Sequence, residues 1–242
     1  FLMNPYGFLF GPNATVNVGG MVAFTSADYL RLADNARFNA IPNSTFDALL
    51  TPSPVAAFGF LGANPGAITV QGSQFSVTDG QSISLVGGNI SIQSGTPEGG
   101  TAQPARLSAP NGNIHLASAA SPGEFDAATL QSLSNVDGAS FTSFGSVTLT
   151  TGSNINVSGA STVSIRGGQF VLSVNDTVLT TAVTVGAPNT VAVSAGSAIV
   201  TTNATTEPGA NMQIMADIIQ MDGASIKSAT TGDSPGGSIV IS

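Results

Sequence analysis

The sequence predicts an all-β fold, a right-handed parallel β-helix (solenoid) with an extra-helical hairpin, and three observations point to it. Charge is scarce: Asp, Glu, Lys and Arg make up 7% of 242 residues, against about 25% in ordinary soluble domains. With 42% hydrophobic residues there is enough for a core, so Ser, Thr, Asn, Gln and Gly must clothe the surface. Val, Ile, Thr and Phe recur while helix formers are few, which favours strands. The third observation is imperfect repetition. Residues 80–95 and 145–159 both read as strand, small turn, strand, small turn, with Ile, Val or Leu at alternate positions. Stacked rungs set like residues over like about 4.8 Å apart. Ser, Thr and Asn hydrogen-bond along such a ladder, whereas identical charges repel.

Taken in order, the chain opens on two turn sequences. Asn4-Pro5-Tyr6-Gly7 has Asn first, Pro second with φ near −65° and Gly fourth, which makes a preformed type I turn. Gly11-Pro12-Asn13-Ala14 follows at once. Residues 27–60 break the pattern and read as an extra-helical excursion. Tyr29 to Ala33, an Asp34-Asn35 turn and Ala36 to Ala40 make a β-hairpin, and a strap through Pro52 and Pro54 leads to Phe58 and Phe60. Strand-length runs then follow at 67–70, 74–77, 82–86, 89–92, 113–117, 146–150, 154–157, 162–165, 169–174 and 190–193. Asp79-Gly80, Gly87-Gly88, Asn111-Gly112 and Gly167-Gly168 punctuate them as turns needing positive φ. A second break at 118–135 holds Phe125, Leu130 and Leu133, in a short helix or a loop.

Rungs of about 20 residues give about ten rungs in a rod on the order of 50 Å long. The expectation is one domain over residues 1–242. It is read as cut from a longer chain, lacking an N-terminal cap before Asn4 and stopping in mid-rung at Ile239 to Ser242. Uncapped rung edges then favour end-to-end self-association.

Residues 4–20, from Asn4-Pro5-Tyr6-Gly7 through Gly11-Pro12-Asn13-Ala14 to Gly19-Gly20, resemble the signature of the filamentous-haemagglutinin-type secretion domain of two-partner-secretion exoproteins. Its mark is an Asn-Pro-Asn-Gly turn followed by a Gly-Pro-Asn-Ala turn. Residues 64–68, 80–88, 109–114 and 222–226 are similar to rungs of the large exoproteins of cyanobacterial type. Tyr6 departs from the pattern, standing where the family has its second Asn, and Pro42-Asn43 and Asn64-Pro65 match a later Asn-Pro-Asn motif only in part. The resemblance implies a secreted, cell-surface exoprotein that crosses the outer membrane through a dedicated β-barrel transporter. It implies adhesion to a host or surface carbohydrate or protein receptor, with Asn4, Pro5, Tyr6, Gly7, Gly11, Pro12 and Asn13 as the secretion motif. The other reading of those seven residues is that they are corner turns of the first rungs.

Composition narrows the remaining classes. A net charge of −8 with five basic residues leaves no cationic patch for phosphates, so nucleic acid and anionic membranes are poor partners. No apolar run reaches the roughly 20 residues of a spanning helix. Zero Cys and one His remove thiolate chemistry and two-histidine metal sites, so no cofactor is expected. A β-helix lyase or hydrolase needs convergent carboxylates. Asp79, Asp137, Asp176 and Asp222 fall in turns, and Asp217 with Asp222 and Lys227 is the nearest cluster. His115 alternates with Ile114 and Leu116 and is expected to point outward into solvent. The chain reads as a non-enzyme, with a filament-forming structural solenoid as the alternative.

Overall fold

The computed structural model describes residues 1–43, 47, 51–128, 141–150, 152–157, 161–173, 181–186, 197–203, 211–222, 224–230, 235 and 237–242. Among them all regular structure is β. Three parallel sheets carry most of it. The first holds Leu2–Met3, Val22–Thr25, Ile83–Gly87, Ile114–Ser118, Thr162–Arg166, Asn211–Met215 and Ile239–Ile241. The second holds Phe8–Phe10, Ile68–Gln71, Ile90–Gln93, Ser146–Leu149, Gln169–Ser173 and Ile218–Asp222. The third holds Thr15–Val18, Gln74–Val77, Arg106–Ala109, Ser153–Val157, Thr181–Gly186, Ser197–Asn203 and Ala224–Thr230. The chain visits the three sheets in turn and then begins again, and among their described strands only Ser197–Asn203 follows another strand of its own sheet directly.

The circuits differ in length, and only some keep to the sequence repeat. Ile68 pairs with Ile90 and Ser146 with Gln169, close to the expected spacing, whereas Ile83 pairs with Ile114 and Val163 with Met212, so other circuits are much longer. The first sheet accordingly has seven described strands where about ten rungs were expected. The expected run at 190–193 lies outside the described residues, as do Leu130 and Leu133.

Alternation explains which way each side chain faces. In Ile68–Gln71, Ile90–Gln93 and Ser146–Leu149 every second residue is buried, and those residues meet in one core between the three sheets. Ile90, Ile114, Leu107, Val147 and Ile155 are all fully buried there, each such burial contributing about 1.5 to 3 kcal/mol. Ile83–Gly87 is instead buried at all five positions. The reason is a fourth, antiparallel sheet lying on the outside of the first. It is ordered Gly123–Asp126, Val55–Phe60, Tyr29–Leu32, Arg37–Asn39. Its Leu30, Phe58, Phe60 and Phe125 cover Ala23, Val86 and Ala117 of the first sheet.

Two of the expected turns hold, with Gly80 at φ +75° and Asn111 at φ +50°, but the other glycines of these pairs do different work from the one expected. Gly87, Gly88, Gly112, Gly167 and Gly168 do not take positive φ. At Gly88 a Cβ would stand 2.1 Å from the Pro65 carbonyl oxygen, and at Gly112 1.8 Å from that of Gln81. Close stacking of one circuit on the next is what requires them.

Candidate functional site: the two opening turns

Asn4-Pro5-Tyr6-Gly7 joins the first strand of the first sheet to the first strand of the second. The Gly7 N–H donates to the Asn4 carbonyl at 2.9 Å, closing the turn. The Asn4 side chain braces it twice: Nδ2 donates to the Gly7 carbonyl at 3.1 Å and Oδ1 accepts from the Tyr6 N–H at 3.2 Å. The turn is also seated on the next circuit. Gly66 N–H donates to the Pro5 carbonyl at 3.2 Å, and Phe8 N–H donates to the Ala67 carbonyl at 2.9 Å. Gly7 has φ +94°, and a Cβ there would lie 2.2 Å from the Ala67 oxygen. Both conformation and space demand glycine.

Gly11-Pro12-Asn13-Ala14 makes the next corner, between the second and third sheets, with Ala14 N–H donating to the Gly11 carbonyl at 2.9 Å. Its carbonyls are taken up from circuits beyond. Ser73 Oγ donates to Gly11 at 2.8 Å, and the Gln103 amide donates to Pro12. Beneath both turns Phe8 and Phe10 pack on Phe24 and Phe75, with Phe10 4.8 Å from Phe24 and 4.9 Å from Phe75 between ring centroids. The seven motif residues thus form two adjacent corners of one circuit.

Their side chains divide sharply. Asn4, Pro5, Gly7, Gly11 and Pro12 are partly covered, whereas Tyr6 is 85% and the neighbouring Leu9 73% exposed. Asn13 is exposed as well. The turns keep their hydrogen bonds inside and offer an aromatic and an aliphatic side chain outside, which equips the surface for contact with a macromolecule and not for chemistry. The seat for the first turn, Gly66 and Ala67, and the reach of Ser73 and Gln103 were not evident from the sequence. Asn64-Pro65-Gly66 was the only local sign.

A family model for the TPS secretion domain matches residues 1–165. The chain belongs to that family. TPS stands for two-partner secretion, so this TPS secretion domain is part of a secreted exoprotein that engages an outer-membrane transporter. The matched span covers both opening turns, the fourth sheet and the core circuits through Ile165. No match was found among curated proteins or among solved structures.

The other expected residues lie apart from this surface. His115 sits on the outer side of the first sheet between Ser84 and Ser164, half-buried and not solvated as expected, with Nδ1 lacking a hydrogen-bond partner. Burial lowers its pKa from the ordinary 6.5. Alternation placed it outward correctly, yet the outer side here is covered. Asp217 is exposed, and the side chains of Asp222 and Lys227 lie outside the described residues, as do Asp137 and Asp176.

Proposed function

We propose that the three sheets coil as a right-handed parallel β-helix, that residues 1–242 form one domain, and that the first circuit's corners are the surface the transporter reads. The hand follows from the strong preference of parallel crossovers for right-handed connection. One continuous core from Val22 to Ile214 supports a single domain. The observation that carries the recognition reading is Tyr6. Its N–H donates to the Asn4 side chain in a turn closed between Asn4 and Gly7, while its own side chain stands 85% exposed. A large aromatic at the apex of a rigid turn buries much area at little entropic cost, the profile of an anchor residue.

Adhesion is a second activity of the same module in this reading. It is supported by the uncharged columns on the outer faces of the other sheets, such as Thr69, Ser91 and Thr148 on the second and Ser76, Ser108 and Asn156 on the third. Such columns suit a neutral carbohydrate or protein receptor better than a charged one. The module is assigned no catalytic step.

The recognition reading is tested with Tyr6→Ala in the exoprotein expressed beside its transporter. Release into the medium is expected to fall about tenfold, the cost of one anchor contact of about 1.4 kcal/mol or more, with the thermal midpoint unchanged. Gly7→Ala is expected to lose about 2 kcal/mol or more of stability, because strained φ and backbone overlap coincide. Release by Tyr6→Ala at the parental level would mean that the turns are corners and nothing more.

A further inference from the structure

In a chain with so few charges, Arg31, Arg37 and Glu124 converge on one spot of the fourth sheet. Glu124 is 2% exposed. Its Oε1 accepts from the Tyr29 hydroxyl at 2.7 Å, and its Oε2 accepts from Arg31 Nε at 2.9 Å. The Arg37 guanidinium lies 4.2 Å from the centroid of the Tyr29 ring. Register explains how Tyr29 reaches a strand that is not its neighbour. Tyr29, Gly59 and Glu124 occupy one row across three strands. A Cβ at Gly59 would lie 2.1 Å from Tyr29 Cζ, so the ring crosses the middle strand over the absent side chain. The row beside it, Leu30, Phe58 and Phe125, faces the first sheet and is apolar.

These contacts join segments distant in sequence. Tyr29 and Arg31 belong to the excursion between Val22–Thr25 and Ile68–Gln71, while Glu124 follows Ile114–Ser118, two circuits later. A hairpin such as Tyr29–Leu32 with Arg37–Asn39 is marginal by itself. Its third strand, Val55–Phe60, gains a second partner only from Gly123–Asp126. Burying the ion pair adds little net stability, because desolvation offsets attraction, but a mispaired alternative would leave a buried carboxylate unanswered.

We propose that Glu124 is a latch: it locks the first excursion to the second, so that the fourth sheet closes on the first sheet only after the circuit carrying Ile114–Ser118 is in place. Glu124 is a positioning residue that acts through Tyr29 and Arg31. The fourth sheet therefore opens and closes as a unit separate from the three-sheet core.

Hydrogen exchange on the purified chain tests this with Glu124→Ala, the milder Glu124→Gln, and Gly59→Ala, which displaces Tyr29 without touching the carboxylate. Exchange in Tyr29–Leu32 and Val55–Phe60 should rise roughly a hundredfold in Glu124→Ala and by less in Glu124→Gln. Exchange in Ile68–Gln71 and Ile90–Gln93 should stay at the parental rate. Gly59→Ala should reproduce the same local pattern. Pulse labelling during refolding of the parent should protect Tyr29–Leu32 no earlier than Ile114–Ser118. Unchanged exchange in the fourth sheet, a rise spread evenly over all four sheets, or protection of Tyr29–Leu32 ahead of Ile114–Ser118 would each overturn the latch.

Discussion

His115 carries an unpartnered Nδ1 between Ser84 and Ser164, and burial lowers its pKa below 6.5. The unfolded chain therefore binds this proton more readily than the folded one. Stability should hold above pH 6.5, where both states are neutral, and fall as the pH drops through 6.5 toward the lower folded value. The urea midpoint should be lower at about pH 5 than at about pH 7.5, and His115→Gln should flatten that difference. Asp34 and Asp47 act in another window. Hydrogen bonds, from Thr51 at Asp34 and from the Asn43 backbone at Asp47, hold their carboxyls below 3.8, so their contribution is lost only as pH falls through those lower values. A pH dependence confined below about 4, with none near 6, would contradict the burial of His115. The sequence placed His115 on the outer side because alternation is local. What covers that side comes from residues far along the chain, which no local pattern reveals.

Among elements, the alternating strands of all three parallel sheets were legible, those of the second as an example. Ile68–Gln71, Ile90–Gln93 and Ser146–Leu149 each lie within a residue of the expected run, since one buried and one wet face imprint period-two alternation. Arg106–Ala109 was missed. Only Leu107 and Ala109 mark its inner face, and Pro104 precedes it. Gly123–Asp126 was read as helix or loop because its pairing is supplied by Val55–Phe60, far off in sequence. The corners show how circuits are tied. Asn113 Oδ1 accepts from the Thr162 N–H at 2.9 Å, and Asn89 Oδ1 accepts from the Ser146 N–H at 2.9 Å. Asn113→Ala should cost about 1 kcal/mol, the net worth of one such bond. Ile90→Ala, which empties a fully buried core site, should cost about 2 to 5 kcal/mol. Denaturant titration would compare them, and equal losses would mean that the corner ladder rivals the core.

For the molecule as a whole, sequence pattern and structure agree on an all-β chain, and the opening turns led to the family that its first 165 residues match. The longer circuits and the fourth sheet were not legible. Each of those circuits spends residues on corners and excursions that leave no repeat, and the antiparallel sheet joins two breaks that looked independent. The seven residues that the sequence offers as a secretion motif lie at the first two corners, but the division between braced backbone and exposed Tyr6 and Leu9 needed three dimensions. A TPS secretion domain at the start of the exoprotein should export it by engaging the transporter. The most direct test is to measure exoprotein in the medium of otherwise matched cells with and without the outer-membrane transporter, for the parent and for a chain whose Asn4 to Asn13 turns are replaced by Gly-Ser linker. Release is expected only from the parent with the transporter present; equal release from all four combinations would mean that the domain does not direct export.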